Sequence, residues 1–309
     1  MSFSETCDRE PISIAALERD TGLSKDSLRV WERRYGFPQP LRDQNGERIY
    51  PFDQVQRLRL VKRLMDQGHR PGKLMELEAA QLQSLAELGA PHRAPDGHAA
   101  PDELDAVLAR IKAHDAEGLR RELSRLLLRA GLARFTTEVV APLVTRVGEA
   151  WGCGELEIFE EHLFTEAIQS VLRNAISALP PRGPRPRVLL TTFPQESHGL
   201  GLLMAEAMFA LEGAHCLSLG VTTPLWNIVL AARARQADIV ALSFSSILSP
   251  ALVIDGLGEL RASLPRETEL WAGGSNAALR RRAPRGVRPV RTLEQIAPAL
   301  ARWRQERSG

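Results

Sequence analysis

The chain has 309 residues, 44% of them hydrophobic and 25% charged, and its formal net charge at pH 7 is only +2. This length is sufficient for two or three domains, and no apolar run reaches the length of about 18 residues that crosses a membrane. Three cysteines, Cys7, Cys153 and Cys216, have neither paired nor zinc-like spacing, which favours a reducing compartment. Met1–Glu10 is polar and lacks the pattern of a secretion signal, so we expect a cytoplasmic protein without a membrane partner.

The N-terminal segment has the pattern of a helix-turn-helix. Thr21-Gly22-Leu23 predicts a tight turn, and Ser24 is a good N-cap for a second helix over residues 25–33. Pro38, Pro40 and Asn45-Gly46 then predict a small β-wing. Between Ser24 and Lys73 there are 12 Lys and Arg against 6 Asp and Glu, a net charge of +6. The positive charge is therefore concentrated where a DNA backbone would lie if the second helix entered the major groove.

Residues 12–50 resemble the DNA-binding head of the MerR family of transcription regulators. The resemblance implies a mainly helical, winged helix-turn-helix domain over residues 10–78 and double-stranded promoter DNA as its partner. Leu28, Trp31 and Ile49 are expected in the core of this head, and some of its arginines are expected to pair with Glu32 and Glu47. The side chains expected to contact DNA lie on the second helix, its exit and the wing: Arg29, Arg33, Tyr35, Arg42, Arg48 and Tyr50.

A helical segment follows a linker. The linker is predicted over residues 79–101, because Gly89–Pro101 is rich in Pro, Gly, Ala and His. Apolar residues then recur every three or four positions over residues 102–179 and predict a helical bundle of four helices. Trp151 is expected just past one of these helices, with Glu161-His162 inside the next. Taken alone, these residues would be a core aromatic residue and an ordinary bundle histidine.

Strand and helix patterns alternate after the Pro-rich segment Pro180–Pro186. This alternation predicts a doubly wound, parallel, five-stranded α/β domain of the flavodoxin-like type over residues 187–305. The last helix should cover the sheet with Ile296, Leu300 and Trp303. The strands are expected near residues 187–193, 215–221, 238–245, 269–274 and 287–290.

Small and polar residues stand at the ends of three of these strands. Glu196, His198 and Gly201 form E-x-H-x-x-G after the first strand, Ser243 and Ser245 end the third, and Gly273-Gly274 ends the fourth. The carboxyl ends of parallel strands meet at one edge of a sheet. These residues therefore predict a single ligand groove at that edge. A neutral imidazole is a good ligand for a first-row metal, and a carboxylate two residues away can hold its other nitrogen. Each short motif alone is compatible with an ordinary loop, so the prediction rests on the ordered set of three.

This set is similar to the pattern of the cobalamin (vitamin B12)-binding domain family, with a serine at position 245 where that pattern has leucine. The resemblance implies that His198 is the lower axial ligand of cobalt and that Glu196 is its hydrogen-bond partner. It also implies that the nucleotide tail of the cofactor passes Gly201, Ser243 and Gly273-Gly274. The spacing W-x9-E-H resembles the bundle that caps the upper face of B12 in light-sensing repressors. By that resemblance Trp151, Glu161 and His162 surround the upper group of adenosylcobalamin.

The order of head, bundle and B12-binding domain resembles the B12-dependent photoreceptor repressors of carotenoid genes, the CarH/LitR type. The resemblance implies a regulator and not an enzyme. In the dark it would bind its operator as a dimer or tetramer containing adenosylcobalamin, and light would release it by cleaving the cobalt–carbon bond. Gly152 stands where certain members carry a histidine that binds cobalt after photolysis. Cys153, His162 or water could replace that histidine.

Two alternatives remain open. The first is a MerR-type regulator that does not respond to light, and that senses cobalamin or uses the B12 fold for protein contacts. Gly152 is the feature that favours it. The second is a corrinoid carrier that serves an enzyme, which the DNA-binding head disfavours.

Overall fold

The computed structural model of the protein describes residues 11–66, 69–78, 81–82, 85, 101–152, 154–180, 183–246, 248–281 and 284–308. Cys7, Cys153 and nearly all of the linker predicted over 79–101 lie outside these residues. The chain divides into two compact units, Met1–Ala94 with Gly148–Ile158, and Pro95–Val147 with Phe159–Gly309. Within the described ranges, no helix is long and apolar enough to cross a membrane.

The first unit contains the helix-turn-helix and a small antiparallel sheet. The strands of this sheet pair in the order β1-β3-β2. In chain order the elements are β1 (Ile12–Ser13), α1 (Ile14–Thr21), α2 (Lys25–Tyr35), β2 (Leu41–Arg42), β3 (Arg48–Tyr50), α3 (Phe52–Asp66) and α4 (Pro71–Met75).

Capping residues determine where α1 ends and where α2 begins and ends. The side chain of Ser24 accepts a hydrogen bond from the backbone N–H of Ser27 at 3.1 Å, which satisfies a donor in the first turn of α2. Gly22 and Gly36 follow the two helices with φ values of +69° and +68°, in the left-handed conformation that favours glycine. The predicted helix-turn-helix is confirmed, β2 and β3 form the predicted wing, and β1 adds a third strand to it.

Tyr50, at the end of β3, lies in the core of the head. Its side chain is fully buried beside Leu17 and Leu58, and its hydroxyl has no hydrogen-bond partner among the described residues. Burial, with a smaller contribution from the Glu32 carboxylate, raises the pKa of the Tyr50 phenol. The structure corrects the prediction that Tyr50 contacts DNA, because this side chain has no exposed surface. Leu28, by contrast, is buried as predicted.

The described part of residues 101–177 forms four α-helices. They are α5 (Pro101–Lys112), α6 (Ala116–Arg134), α7 (Ala141–Gly152) and α8 (Ile158–Ser177), and a π-helical turn over Phe135–Val140 joins α6 to α7. Trp151 lies in the last turn of α7, whereas it was predicted just past a helix. Glu161 and His162 lie near the start of α8, as expected.

The rest of the second unit is built on a five-stranded parallel sheet with the strand order β5-β4-β6-β7-β8. The strands are β4 (Arg187–Thr191), β5 (His215–Ser218), β6 (Ile239–Phe244), β7 (Glu269–Gly274) and β8 (Val287–Val290). The helices are α9 (Leu200–Leu211), α10 (Leu225–Ala234), α11 (Pro250–Ser263), α12 (Ala277–Arg281) and, after a 3-10 turn at Leu293–Gln295, α13 (Ile296–Ser308). The predicted doubly wound sheet is confirmed, although β5 ends three residues before its predicted limit.

Both faces of this sheet are covered, and the cover explains why its strands are continuous apolar runs. On β4, Val188 and Leu190 belong to the core that includes Trp303 of α13, while Leu189 belongs to the core on the other face. The chain passes from β4 outward to β5 and then back to β6 on the other side. The carboxyl ends of β4 and β6 therefore flank the topological switch point, where open α/β sheets bind ligands.

Replacing Tyr50 by Phe removes a buried hydroxyl without a partner and keeps the ring in the core. An unsatisfied buried polar group costs about 1–3 kcal/mol. We therefore expect Tyr50→Phe to maintain or raise the free energy of unfolding, measured with denaturant, and to leave operator binding in a gel shift unchanged. Tyr50→Ala is the control for packing and should cost about 3–5 kcal/mol. Weaker DNA binding by Tyr50→Phe at unchanged stability would contradict the core assignment.

Candidate functional site: an arginine-bearing helix and a strand-end site

The exposed face of α2 carries two of the side chains predicted to contact DNA. Arg29 and Arg33 lie one turn apart and are exposed, whereas Leu28 and Trp31 are buried on the opposite face. Arg29 lies 3.5 Å from Asp26, in an exposed ion pair of the kind that contributes about 0–1 kcal/mol. Both guanidinium groups are therefore accessible to an anionic ligand at this face.

The wing between β2 and β3 is ordered by its own turn residues. The carboxylate of Asp43 accepts hydrogen bonds from the backbone N–H groups of Asn45 at 2.9 Å and Glu47 at 2.8 Å. The exposed guanidinium of Arg42 donates to the carbonyl of Gly46 at 2.6 Å. Arg42 is thus held on the wing with its charge in solvent, a suitable position for a phosphate contact.

Arg48 connects the wing to α2. Its Nε donates to the Glu32 carboxylate at 3.1 Å, and both side chains are half-buried. Tyr35, at the end of α2, is also half-buried, and the Arg34 guanidinium lies 5.3 Å from its ring centroid. The pairing with Glu32 was expected from the sequence, and it gives Arg48 a role in positioning the wing against the helix.

A buried ion pair in the first unit was not predicted. Arg59 of α3 donates from Nε and Nη2 to the two carboxylate oxygens of Asp20 on α1, at 2.8 Å each, and the side chains are only 4% and 6% exposed. The guanidinium carbon of Arg59 also lies 5.8 Å from the ring centroid of Trp151, within the range of a cation–π interaction. The structure therefore places Trp151 against a cation of the head.

Glu161 and His162 form a pair near the start of α8. His162 Nδ1 lies 2.8 Å from a carboxylate oxygen of Glu161, and the hydroxyl of Thr165 donates to the other oxygen at 2.7 Å. The imidazole is exposed, whereas the carboxylate is partly buried. The two side chains predicted to act together are thus adjacent.

Glu196 and His198 meet at the carboxyl edge of the large sheet. The backbone N–H of His198 donates to Glu196 Oε1 at 3.0 Å, and His198 Nδ1 lies 2.7 Å from the same oxygen. Glu196 Oε2 accepts from the backbone N–H of Ser245 at 2.7 Å. The carboxylate is buried, whereas the imidazole is 54% exposed. With Nδ1 engaged by the carboxylate, Nε2 is the nitrogen oriented for metal ligation.

The pKa of Glu196 is set by two opposing effects. Burial raises the pKa of this carboxyl group, and the hydrogen bonds from His198 and Ser245 lower it by more, so that the net shift is downward from the ordinary value of 4.5. The charged carboxylate is therefore the stable form at neutral pH, and it favours the tautomer of His198 that donates from Nδ1.

Glycines allow the chain segments at the edge beside His198 to pack closely. A Cβ atom at Gly201, in the first turn of α9, would lie 2.9 Å from the hydroxyl oxygen of Ser243 on β6. Gly274 has a φ of +112°, and a Cβ atom there would lie 2.1 Å from the carbonyl oxygen of Phe244. Gly273 is in register with Ser243 on the neighbouring strand. The predicted strand-end residues are thus brought to one edge of the sheet. Glycine is required there because neighbouring segments leave no room for a Cβ atom.

Asn276 is a site residue that sequence reasoning missed. Its buried amide nitrogen donates to the carbonyls of Ser245 and Leu248 at 2.9 Å each, and its oxygen accepts from the backbone N–H of Ala278 at 3.0 Å. Asn276 therefore joins the loop after β6 to the start of α12. Its place two residues after Gly274 is the signal that could have identified it.

The loop after β5 was also missed, because its residues were assigned to a strand. Thr192, just past β4, donates to the carbonyl of Glu196 at 2.7 Å and accepts from the backbone N–H of Thr222 at 2.8 Å. A Cβ atom at Gly199 would lie 3.2 Å from Val221. This loop therefore forms a wall of the site on the side of His198.

Replacing Glu196 by Gln should destabilise the α/β domain, because the amide NH2 group must face either His198 or Ser245, both of which are donors. We expect a loss of about 1–3 kcal/mol in the free energy of unfolding at pH 7. The lowered pKa of Glu196 means that the wild-type advantage is complete above pH 4.5 and is lost as the pH falls through the folded-state pKa. Denaturant unfolding at several pH values measures this.

Glu259→Gln on α11 is the matched control, since it makes the same charge change at an exposed position of the same domain. It should leave stability nearly unchanged at every pH. Equal effects of the two substitutions, or a Glu196→Gln effect that grows on acidification, would contradict the assigned role of the carboxylate.

Models of two protein families match this chain. The model of the MerR HTH family regulatory protein covers residues 12–81, and that of the B12 binding domain covers residues 103–175. The first range contains α2 and the wing, and the second contains nearly all of the four helices α5 to α8, with Trp151, Glu161 and His162. The structure of the monomethylamine corrinoid protein of Methanosarcina barkeri has a similar fold, with a TM-score of 0.52 at 15% identity over 65% of this chain and 98% of its own.

Two repressors from Myxococcus xanthus are similar over most of their length. The HTH-type transcriptional repressor CarH is 32% identical over 268 residues, which are 86% of this chain and 89% of that protein. The HTH-type transcriptional repressor CarA is 27% identical over 299 residues, 96% of this chain and 98% of its own. With a MerR-type head and a B12-binding region in the same order, the chain belongs to the CarH family of B12-binding, MerR-type transcriptional repressors.

Proposed function

We propose that this protein is a light-responsive transcriptional repressor that binds operator DNA in the dark with adenosylcobalamin and leaves it after illumination. One observation carries the proposal: an exposed imidazole is held by a buried carboxylate at the carboxyl edge of the parallel sheet, in a chain that also bears an exposed arginine-rich helix. The protein is thus a regulator whose cofactor serves as a switch, and not an enzyme.

The residues at this edge of the sheet fit cobalamin. His198 presents Nε2 for a cobalt ion, because Glu196 engages Nδ1. Gly201, Gly273 and Gly274 present no side chain at this edge of the sheet, and glycine there lets another molecule approach the backbone closely, as the passage of a long nucleotide tail would require. Ser243 and Ser245 lie along the same edge, Ser243 with a hydroxyl beside Gly201 and Ser245 as the donor to Glu196.

Trp151, Glu161 and His162 are the residues we assign to the upper side of the cofactor. When bound, adenosylcobalamin supplies a cobalt–carbon bond that visible light cleaves. The indole of Trp151 offers an apolar surface to an adenosyl group, and the Glu161–His162 pair offers hydrogen-bonding atoms. Gly152 has no side chain that could ligate cobalt, so Cys153, His162 or water would occupy that position after illumination.

Operator binding is assigned to α2 and the wing. Arg29 and Arg33 lie on the exposed face of α2, which is the face that a helix-turn-helix presents to the major groove. Arg42 on the wing supplies a further exposed cation. Arg48 and Tyr35 are half-buried, so we assign them to holding the wing and the end of α2 in position as well as to DNA contact.

An oligomer would couple the cofactor to DNA binding. Several heads on one operator bind with an avidity about 10²–10⁴ times the affinity of a single head. A ligand that favours the assembled form therefore controls repression without touching DNA, by its differential affinity for the two states. We propose a dimer or tetramer of this kind in the dark.

The first experiment compares dark and illuminated protein. Full-length protein is mixed with adenosylcobalamin, freed of excess cofactor, and examined by absorbance and by gel shift on its promoter DNA before and after green light. We expect retained cobalamin, a spectral change, and a loss of apparent DNA affinity of about a hundred-fold or more. DNA binding indifferent to light would favour a light-independent cobalamin sensor. A protein that retains no cobalamin would contradict both the light-responsive repressor and the light-independent cobalamin sensor.

Replacing His198 by Ala tests the lower ligand. We expect the substitution to weaken cobalamin binding by at least about 10-fold, the loss typical of changes around a metal ligand. The spectrum of bound cofactor should shift to that of a form without nitrogen below cobalt. His215→Ala is the control, since this exposed histidine begins β5 at the opposite end of the strands. Unchanged affinity and spectrum in His198→Ala would overturn the assignment.

A further inference from the structure

Val30 is an aliphatic residue on the exposed surface of α2. Its side chain is 44% exposed, whereas the neighbouring apolar residues Leu28 and Trp31 are buried. Valine is a weaker helix former than alanine or leucine, because its χ1 freedom is restricted in a helix. Val30 therefore adds little to the folding of α2. Single exposed aliphatic residues are common on protein surfaces, so its exposure alone would carry no conclusion.

Val30 lies on the exposed face of α2 among charged side chains. Asp26 and Arg33 are four residues before and three residues after Val30, so the three side chains share one face. All three are exposed, as is Arg29 on the flank of this face. Val30 is thus the apolar centre of a polar surface, and that surface is the one a helix-turn-helix places against the base edges.

We propose that Val30 determines operator specificity by contacting the 5-methyl group of a thymine in the major groove. The thymine methyl is the apolar group that a base pair of unmodified DNA presents there, and aliphatic side chains contact it in direct readout. The flanking Arg29 and Arg33 suit guanine O6 and N7 or backbone phosphates, which are acceptors that a valine cannot bind. The inference rests on DNA binding by the head, and it does not depend on the response to light.

Leu41 offers a comparison within the same head. It is 53% exposed and lies on β2 of the wing, directly beside Arg42 and paired across the sheet with Ile49. An aliphatic residue beside a phosphate-binding cation on a wing covers the sugar–phosphate surface and reads no base edge in the major groove. A substitution of Leu41 is therefore a matched control for loss of aliphatic surface without loss of thymine recognition.

The test uses the full chain loaded with adenosylcobalamin in the dark. An operator is obtained by selection from randomised duplexes, and each thymine in it is replaced in turn by deoxyuridine, which lacks only the methyl group. We expect at least one thymine whose replacement weakens wild-type binding about four-fold, the effect of burying one methyl group. In Val30→Ala the same replacement should have no effect. In Leu41→Ala it should have the full effect.

Circular dichroism and thermal unfolding of both variants exclude misfolding, which is not expected at positions so exposed. If no replacement weakens wild-type binding, or if Val30→Ala responds to every replacement as the wild type does, the proposal is overturned while DNA binding stands. If selection yields no bound duplex, DNA binding by the head is itself contradicted, and the role of Val30 with it.

Discussion

The buried carboxylate of Glu196 is the group on which the strand-end site depends. It accepts hydrogen bonds from the backbone and ring of His198 on one side and from the backbone of Ser245 on the other. It therefore ties the loop after β4 to the end of β6 across the switch point of the sheet. Burial alone would favour the neutral acid, and these donors reverse that preference. The charge retained in this way fixes the tautomer of the imidazole.

Both units hold their functional loops by the same means. In the α/β domain, the Asn276 side chain donates to two backbone carbonyls of the loop after β6 and accepts from a backbone N–H at the start of α12. In the head, the Asp43 carboxylate orders the wing, and the ion pair between Arg48 and Glu32 holds the wing against α2. The apolar cores hold the strands and helices in place. Polar side chains, bonded to backbone groups or to each other, hold the loop after β6 and the wing. Such loops keep their shape before a ligand arrives, which lowers the entropy cost of binding.

The sequence was sufficient to predict the strands, because parallel strands covered on both faces are unbroken apolar runs such as Val188–Thr191. It was also sufficient for the Glu196–His198 pair, whose two-residue spacing makes the contact local. It could not locate Asn276, whose partners are 28 and 31 residues away. Tyr50 was misassigned because a tyrosine at the end of a short strand has the same pattern whether its ring faces the core or the solvent. The contact of Trp151 with Arg59 depends on chain segments more than 90 residues apart, and no local pattern encodes it.

The ion pair between Arg59 and Asp20 lowers the number of cations of the head that can contact DNA phosphates. Arg59 is one of the 12 basic residues between Ser24 and Lys73, yet it is enclosed with its partner and displaces no counterion from DNA. Each phosphate that a cation neutralises contributes about 0.9 to the slope of log affinity against log salt concentration. The number of basic residues therefore overstates the sensitivity of the complex to ionic strength. A head with fewer cations at the phosphates retains more of its affinity when the salt concentration rises, and the choice of operator then depends more on the base edges.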